Sequence, residues 1–172
     1  MPLIKEHNLL FIHIPKTGGF SIEKFFNISA KSENLFEYGK PRFNINNILF
    51  SPQHFTVKIL KENLGLEYSK YFKFTFVRNP YDRIISGYYW RYTYHLTKLN
   101  LNDFIYENLT TIKLDHMIPQ SEFVDESVDF IGKTENLQQD FEKLLFKRKI
   151  PIKPLPKLNA LRPAKNYKLF NS

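Results

Sequence analysis

Leu9-Leu10-Phe11-Ile12-His13-Ile14 runs directly into Pro15-Lys16-Thr17-Gly18-Gly19 and then into Phe20-Ser21-Ile22-Glu23-Lys24-Phe25-Phe26. The first six residues form a short apolar run closed by a proline, with the length and side-chain types of a buried strand. Lys16 to Gly19 has the chemistry of a turn. From Ser21 onward, Ile22, Phe25 and Phe26 fall on one face of a helix. Strand, glycine loop and helix therefore follow one another within eighteen residues.

The same order returns twice. Phe72-Lys73-Phe74-Thr75-Phe76-Val77 reads as a central strand with its three phenylalanines on one side, ending at Arg78. Asn79 stands where a helix N-cap belongs and Pro80 at the first helical position. Ile84, Ile85, Tyr88, Tyr89 and Tyr92 then supply an apolar stripe over about four turns. Val128 to Gly132 is a third strand, followed by Thr134 as N-cap and by Leu137, Phe141, Leu144 and Leu145 on one helical face. Strands alternating with helices imply an α/β fold with a central parallel sheet flanked by helices. Ile48-Leu49-Phe50 adds a short strand, and the polar stretch 29–47 reads as a long surface connection.

The 172 residues, 42% hydrophobic and 16% aromatic, suffice for one packed core. Residues 1–172 are read as a single domain, with a Pro-rich basic segment from about 151 that forms no regular element. Both signs of charge are mixed through the chain, which excludes a disordered or fibrous protein. The absence of cysteine excludes disulfides, thiolate zinc sites, iron–sulfur clusters and a cysteine nucleophile. A net charge of +8 favours an anionic partner. The apolar run Leu9–Ile14 is too short and too polar in its flanks for a signal peptide or a membrane span, so the chain is expected to be cytoplasmic if Met1 is its native start. A catalytic domain of a membrane-anchored parent reads the same way.

The Pro15–Ser21 loop suits a phosphate or sulfate: glycines let the backbone approach an anion, N–H groups point at it, and Lys16 adds a cation. An ordinary glycine turn has the same composition. The loop differs from GxxxxGK[ST], because its lysine precedes the glycines, and no strand ending in a metal-binding aspartate accompanies it. Arg78 lies at the carboxyl end of a parallel strand, where such sheets bind ligands, and Ser86 lies two turns into the following helix. An ion pair with Asp82 is the bland alternative for Arg78.

Phe11-Ile12-His13-Ile14-Pro15-Lys16-Thr17-Gly18-Gly19 and Phe76-Val77-Arg78-Asn79-Pro80-Tyr81-Asp82-Arg83 with Ser86 resemble, in order and spacing, the two signature segments of sulfotransferases that use 3′-phosphoadenosine-5′-phosphosulfate, PAPS. Gln53-His54-Phe55, Asp115-His116 with Pro119 to Phe123, Phe130 to Leu137, and Leu155 to Asn159 resemble the carbohydrate-type branch of that family, so the likeness spans about residues 8 to 159. The resemblance implies a P-loop-like three-layer fold. It also implies transfer of a sulfuryl group from PAPS to an acceptor hydroxyl on a carbohydrate, with 3′-phosphoadenosine-5′-phosphate, PAP, as product. Lys16, Thr17, Gly18, Gly19, Phe20 and Ser21 would hold the 5′-phosphosulfate, and Arg78 and Ser86 the 3′-phosphate. His54 would be the base, and Lys16 would meet the charge on the departing phosphate. No metal is expected, because a sulfuryl group carries less charge than a phosphoryl group.

His116, close to Asp115 and Gln120, falls in a segment similar to the acceptor side of the family, and both His116 and Gln120 are assigned there to substrate binding. For His116 a second base and a structural hydrogen bond stay open. His13 reads as a buried, hydrogen-bonded residue, and His7 and His95 as surface residues. Phe20 replaces the threonine usual in relatives and so removes a hydroxyl from the loop. Gln53 stands where glycine is common. Two other readings compete: a basic nucleic-acid-binding module, from the charge and the run Tyr88 to Tyr94, and a metal-dependent nucleotide kinase. The aromatics of that run fall at helical spacing, which favours core packing over stacking platforms.

Overall fold

The computed structural model describes residues 3–28, 43–45, 47–94, 96–111 and 114–156. Its main sheet has the order β1 (Leu3–Ile4), β2 (Leu9–Ile12), β5 (Phe72–Val77), β6 (Phe130–Lys133). β2, β5 and β6 are parallel, and β1 is a short antiparallel edge strand that the sequence reading lacks. The strand expected over Leu9–Ile14 stops at Ile12, so His13 and Ile14 lie past the paired ladder. β3 (Phe43–Ile45) and β4 (Ile48–Phe50) form a separate hairpin. The expected connection over 29–47 thus ends in a strand, and its residues 29–42 and 46 lie outside the described residues. So do His95 and the Lys157-Leu158-Asn159 segment.

The described residues hold five α-helices: α1 (Gly19–Phe25), α2 (Val57–Leu64), α3 (Pro80–Thr93), α4 (Leu101–Thr110) and α5 (Leu137–Lys147). Two apolar clusters place α1, α2 and α5 in layers. Leu9, Phe11, Phe74 and Phe76 bury one sheet face against Ile22 of α1 and Phe141, Leu144 and Leu145 of α5. Leu10 and Ile12 bury the other against Ile59 and Leu60 of α2, with Phe55, Ile118 and Phe123. Alternate residues of β2 serve opposite layers, as a pleated strand requires. Both layers are apolar, so all four residues of β2 are buried and the strand reads as a continuous run.

Two local expectations change. Asn79 does cap α3, its Oδ1 accepting from the Tyr81 and Asp82 N–H groups. The buried face of that helix, however, is Arg83 and Gly87, while Tyr92 and Tyr94 are each 55% exposed and Tyr88 rests on Phe104 of α4. The aromatic run is therefore not core. The reason is that α3 turns a polar seam toward the loop after β2, and an arginine fills it. Thr134 is not an N-cap: a 3-10 turn over Thr134–Asn136 precedes α5, and the Thr134 Oγ1 lies 2.9 Å from the carbonyls of both Thr17 and Val77. Residues 151–156 have no regular structure, as their prolines dictate. The Leu155 N–H donates to Gln138 Oε1 at 2.9 Å.

Candidate active site

The parallel strands end side by side, and the segments leaving β2, β5 and β6 meet there, at the carboxyl edge where such sheets bind ligands. The loop after β2 is held by side chains that reach its carbonyls. Arg83 Nε donates to the Pro15 carbonyl at 3.0 Å, Arg78 Nη1 to the Lys16 carbonyl at 3.1 Å, and Thr134 reaches the Thr17 carbonyl. Thr17 is buried with its hydroxyl donating to the Ile14 carbonyl at 2.8 Å. Gly18, at φ 87°, caps α1 in a left-handed conformation that suits glycine. Gly19 begins the helix against the ring of His13, so close that a Cβ would lie 2.1 Å from Nε2. Ser21 is buried in the first turn of α1, whereas Phe20 is 43% exposed, with its ring edge-on to His13.

Lys16 and Arg78 are neighbours, and their like charges oppose one another. Burial, reinforced by the Arg78 guanidinium, lowers the Lys16 ammonium to about 8. Lys16 Nζ lies 5.3 Å above the ring of Trp90 on α3. Ser86 is half-buried one helical turn before Trp90, on the same helix face. Arg83, one turn earlier on that face, donates to the Ile118 and His116 carbonyls at 2.9 Å each as well as to Pro15. Burial pushes Arg83 down to about 10, and Asp115 works against that shift.

Beside the cations lies a cluster of three histidines. His54 is buried at 3% exposure on a 3-10 turn after β4. Its Nδ1 is 2.9 Å from the His13 carbonyl, which can only accept, so Nδ1 carries the proton. Nε2 is left with its lone pair, 3.2 Å from the Gln53 amide nitrogen, which donates to it. Burial, with smaller repulsions from His13 and His116, holds the imidazole well below its ordinary value and keeps it neutral. The ring centroids of His13 and His116 lie 4.6 and 5.2 Å from that of His54. His116 also meets Trp90 at 5.1 Å, which links the cluster to Lys16 through one aromatic ring.

The cluster rests on buried partners. His13 Nδ1 is 2.7 Å from Glu23 Oε1 of α1, and both side chains are buried. Asp115 is buried and accepts from the Ser51 N–H at 2.6 Å, anchoring the turn that carries His54 to the one that carries His116. Gln120, assigned to the substrate in the sequence reading, has both ends of its amide on the backbone of Arg78: the Arg78 N–H donates to Oε1 at 2.8 Å and Nε2 donates to the Arg78 carbonyl at 2.7 Å. Its bonds in this structure face the cation site.

Lys16 and Arg78 thus meet at the end of the sheet, and Trp90 touches both Lys16 and the His116 ring of the histidine cluster. Sequence reasoning missed Glu23, Arg83 and Trp90 as parts of the site. Arg83 sits in a recognised motif segment, and that was the one signal available. Among the described residues no group of three or more His, Cys, Asp or Glu is arranged to hold a metal ion, and no helix is long and apolar enough to cross a membrane. No curated protein and no solved structure matches the chain. A model of the sulfotransferase family matches residues 3–168, nearly the whole length, and the chain therefore belongs to the sulfotransferase family.

Proposed function

We propose that this sulfotransferase uses PAPS as donor and a carbohydrate hydroxyl as acceptor, with His54 as the base, Lys16 as the cation on the departing phosphate, and no metal ion. Family membership makes the protein a sulfuryl transferase whose acceptor bears a hydroxyl. The single observation that carries the finer reading is the adjacent pair of cations. Lys16 and Arg78 stand close enough that one depresses the other, on a loop that burial has already partly desolvated. An anion with charge at two points offsets that repulsion, and PAPS carries charge on both its 5′ and 3′ sides.

The donor set fits such a nucleotide. Lys16 to Ser21 would hold the 5′-phosphosulfate, chiefly through backbone N–H groups and the Lys16 ammonium, with Phe20 contributing backbone alone. Arg78 and Ser86 would hold the 3′-phosphate. Bound there, PAPS supplies the sulfuryl group and departs as PAP. His54 Nε2 takes the proton of the attacking hydroxyl, which replaces the Gln53 amide as its partner. The carbonyl of His13 then receives the hydrogen bond of an imidazolium rather than a neutral ring, stabilising the protonated base. Lys16 stays protonated at neutral pH and donates to the oxygen on which charge develops. His116, in ring contact with both His54 and Trp90, would contact the acceptor. The carbohydrate class follows from the likeness of the His54, Asp115–Phe123 and Phe130–Leu137 segments to that branch of the family.

Calorimetric titration with PAP, with AMP and Mg²⁺–ATP as controls, tests the donor. The expected result is a clear preference for PAP over AMP that disappears in Arg78→Ala. Equal binding of PAP and AMP by the wild-type protein overturns it, and Mg²⁺-dependent binding of ATP in place of PAP points to a nucleotide kinase.

A further inference from the structure

β5 runs out of neighbours where its most important residue begins. β2 pairs with it as far as Thr75 and β6 as far as Val77, and Arg78 is the next residue. A backbone N–H and carbonyl at such an edge need partners, or water, and an unbonded pair leaves the main chain free to turn. Gln120 supplies both partners, at 2.8 and 2.7 Å, in the two-bond exchange that a hydrogen-bonded residue of an antiparallel strand would make. A side chain here does the work of a sheet neighbour. The far end of Arg78 is also tied, Nη1 donating to the Lys16 carbonyl.

The segment that carries Gln120 is itself bolted down. Arg83 reaches from α3 to the carbonyls of His116 and Ile118 on this segment and to that of Pro15 on the loop. Ile118 and Phe123 are buried in the core on either side of Gln120. One rigid connection therefore runs from the buried core through Gln120 to the backbone of Arg78, and from Arg83 to the loop of Lys16.

We infer that Gln120 is a positioning residue for the 3′-phosphate: it holds Arg78 in its binding conformation, and Arg83 fixes the segment from which it acts. This rests on the reading of Arg78 as a phosphate ligand. Gln120 fixes the main chain from which the Arg78 side chain springs, and the Lys16 carbonyl holds its Nη1, so less conformational freedom remains to be lost on binding. Discrimination between a nucleotide with and without the 3′-phosphate then depends on a residue that touches neither.

The test is the ratio of PAP to AMP affinity, measured by calorimetry on the full chain for the wild type, Gln120→Met, Arg78→Ala and the double variant. Gln120→Met keeps the volume of the side chain and neither bond. The expected ratio falls about tenfold in Gln120→Met, with AMP affinity little changed, as the loss of two ordinary hydrogen bonds allows. In the Arg78→Ala background the Gln120 substitution is expected to change nothing further, because its effect passes through Arg78. Gln120→Asn, too short to reach both groups but still polar, is the second variant should Gln120→Met fold poorly, and the same loss is expected. A wild-type ratio well above one that survives in the Gln120 variants overturns this inference alone. PAP and AMP affinities that fall together also overturn it, since they assign Gln120 to general support of the fold. A wild-type ratio of one overturns the donor reading first and this inference with it.

Discussion

The cation corner and the histidine cluster both touch Trp90 but are built on different plans. The corner comes from two short stretches, Pro15–Ser21 and Arg78–Ser86, each following a strand end into a helix. The cluster comes from residues 13, 54 and 116, which lie on three separate segments and meet through ring contacts and carbonyl bonds. Burial is the largest influence on both, and it acts in the same direction. Lys16, starting from the ordinary lysine range, is lowered only to about 8 and stays a cation at neutral pH. His54, starting near 6.5, is pushed well below it and becomes neutral. One direction of shift thus leaves Lys16 charged and His54 neutral at the same pH.

That contrast breaks first at His54. His54→Ala is expected to lower sulfuryl transfer by about 10²- to 10⁴-fold, the range for loss of a general base, while PAP binding is nearly unchanged. Transfer of labelled sulfate from PAPS to a panel of unsulfated polysaccharides, paired with PAP calorimetry, reads both. Normal turnover in the variant would move the base elsewhere, His116 being the alternative that the sequence left open.

Lys16→Met should cost about 10²- to 10³-fold in kcat/KM, as for loss of one preorganised electrostatic donor. The wild-type protein should also lose affinity for PAP as pH rises through about 8, a limb missing from the variant. Without nucleotide, Lys16→Met should melt above the wild type at neutral pH, since it removes a desolvated cation facing Arg78. That advantage is fully present below about 8 and shrinks as pH climbs toward the ordinary lysine value, because the folded wild type sheds its proton before the unfolded chain does. A variant that melts lower at neutral pH would contradict the picture of two cations held in mutual repulsion.

Glu23→Gln sharpens the comparison with the smallest effect. The buried carboxylate holds the His13 ring at 2.7 Å, and the amide keeps only part of that bond, so thermal unfolding should report a loss of about 1–3 kcal/mol. Turnover should fall less than in His54→Ala, because His13 reaches His54 through its backbone carbonyl and not through its ring nitrogen. A loss of transfer as large as that of His54→Ala would make the His13–Glu23 pair part of the proton path.

The cation corner was legible because its signals are local. A run that ends in proline, a lysine and two glycines, and an Asn-Pro pair before a helix each act within a few residues through backbone conformation and capping. The cluster was legible only in part. His54 was singled out by a resemblance, and nothing near residues 13, 54 or 116 in the chain indicates that their rings meet edge-on. Gln120 was read as facing the substrate because its segment is similar to an acceptor side, yet its amide completes the backbone pairing of Arg78. Thr134 has the composition of an N-cap, and its hydroxyl instead faces the Thr17 and Val77 carbonyls.

By itself, then, the amino-acid sequence determined the alternation of strands and helices, the parallel sheet and the glycine turn after its first long strand, because periodicity, turn chemistry and capping are short-range. Only the tertiary structure decided which face of α3 is buried, which partner each buried polar group takes, and how far burial lowers Lys16 and His54. Those outcomes depend on atoms brought together from distant parts of the chain. Arg83 shows the difference most plainly: its place in a motif was visible at once, but its three carbonyls belong to Pro15, His116 and Ile118, and only folding makes them neighbours.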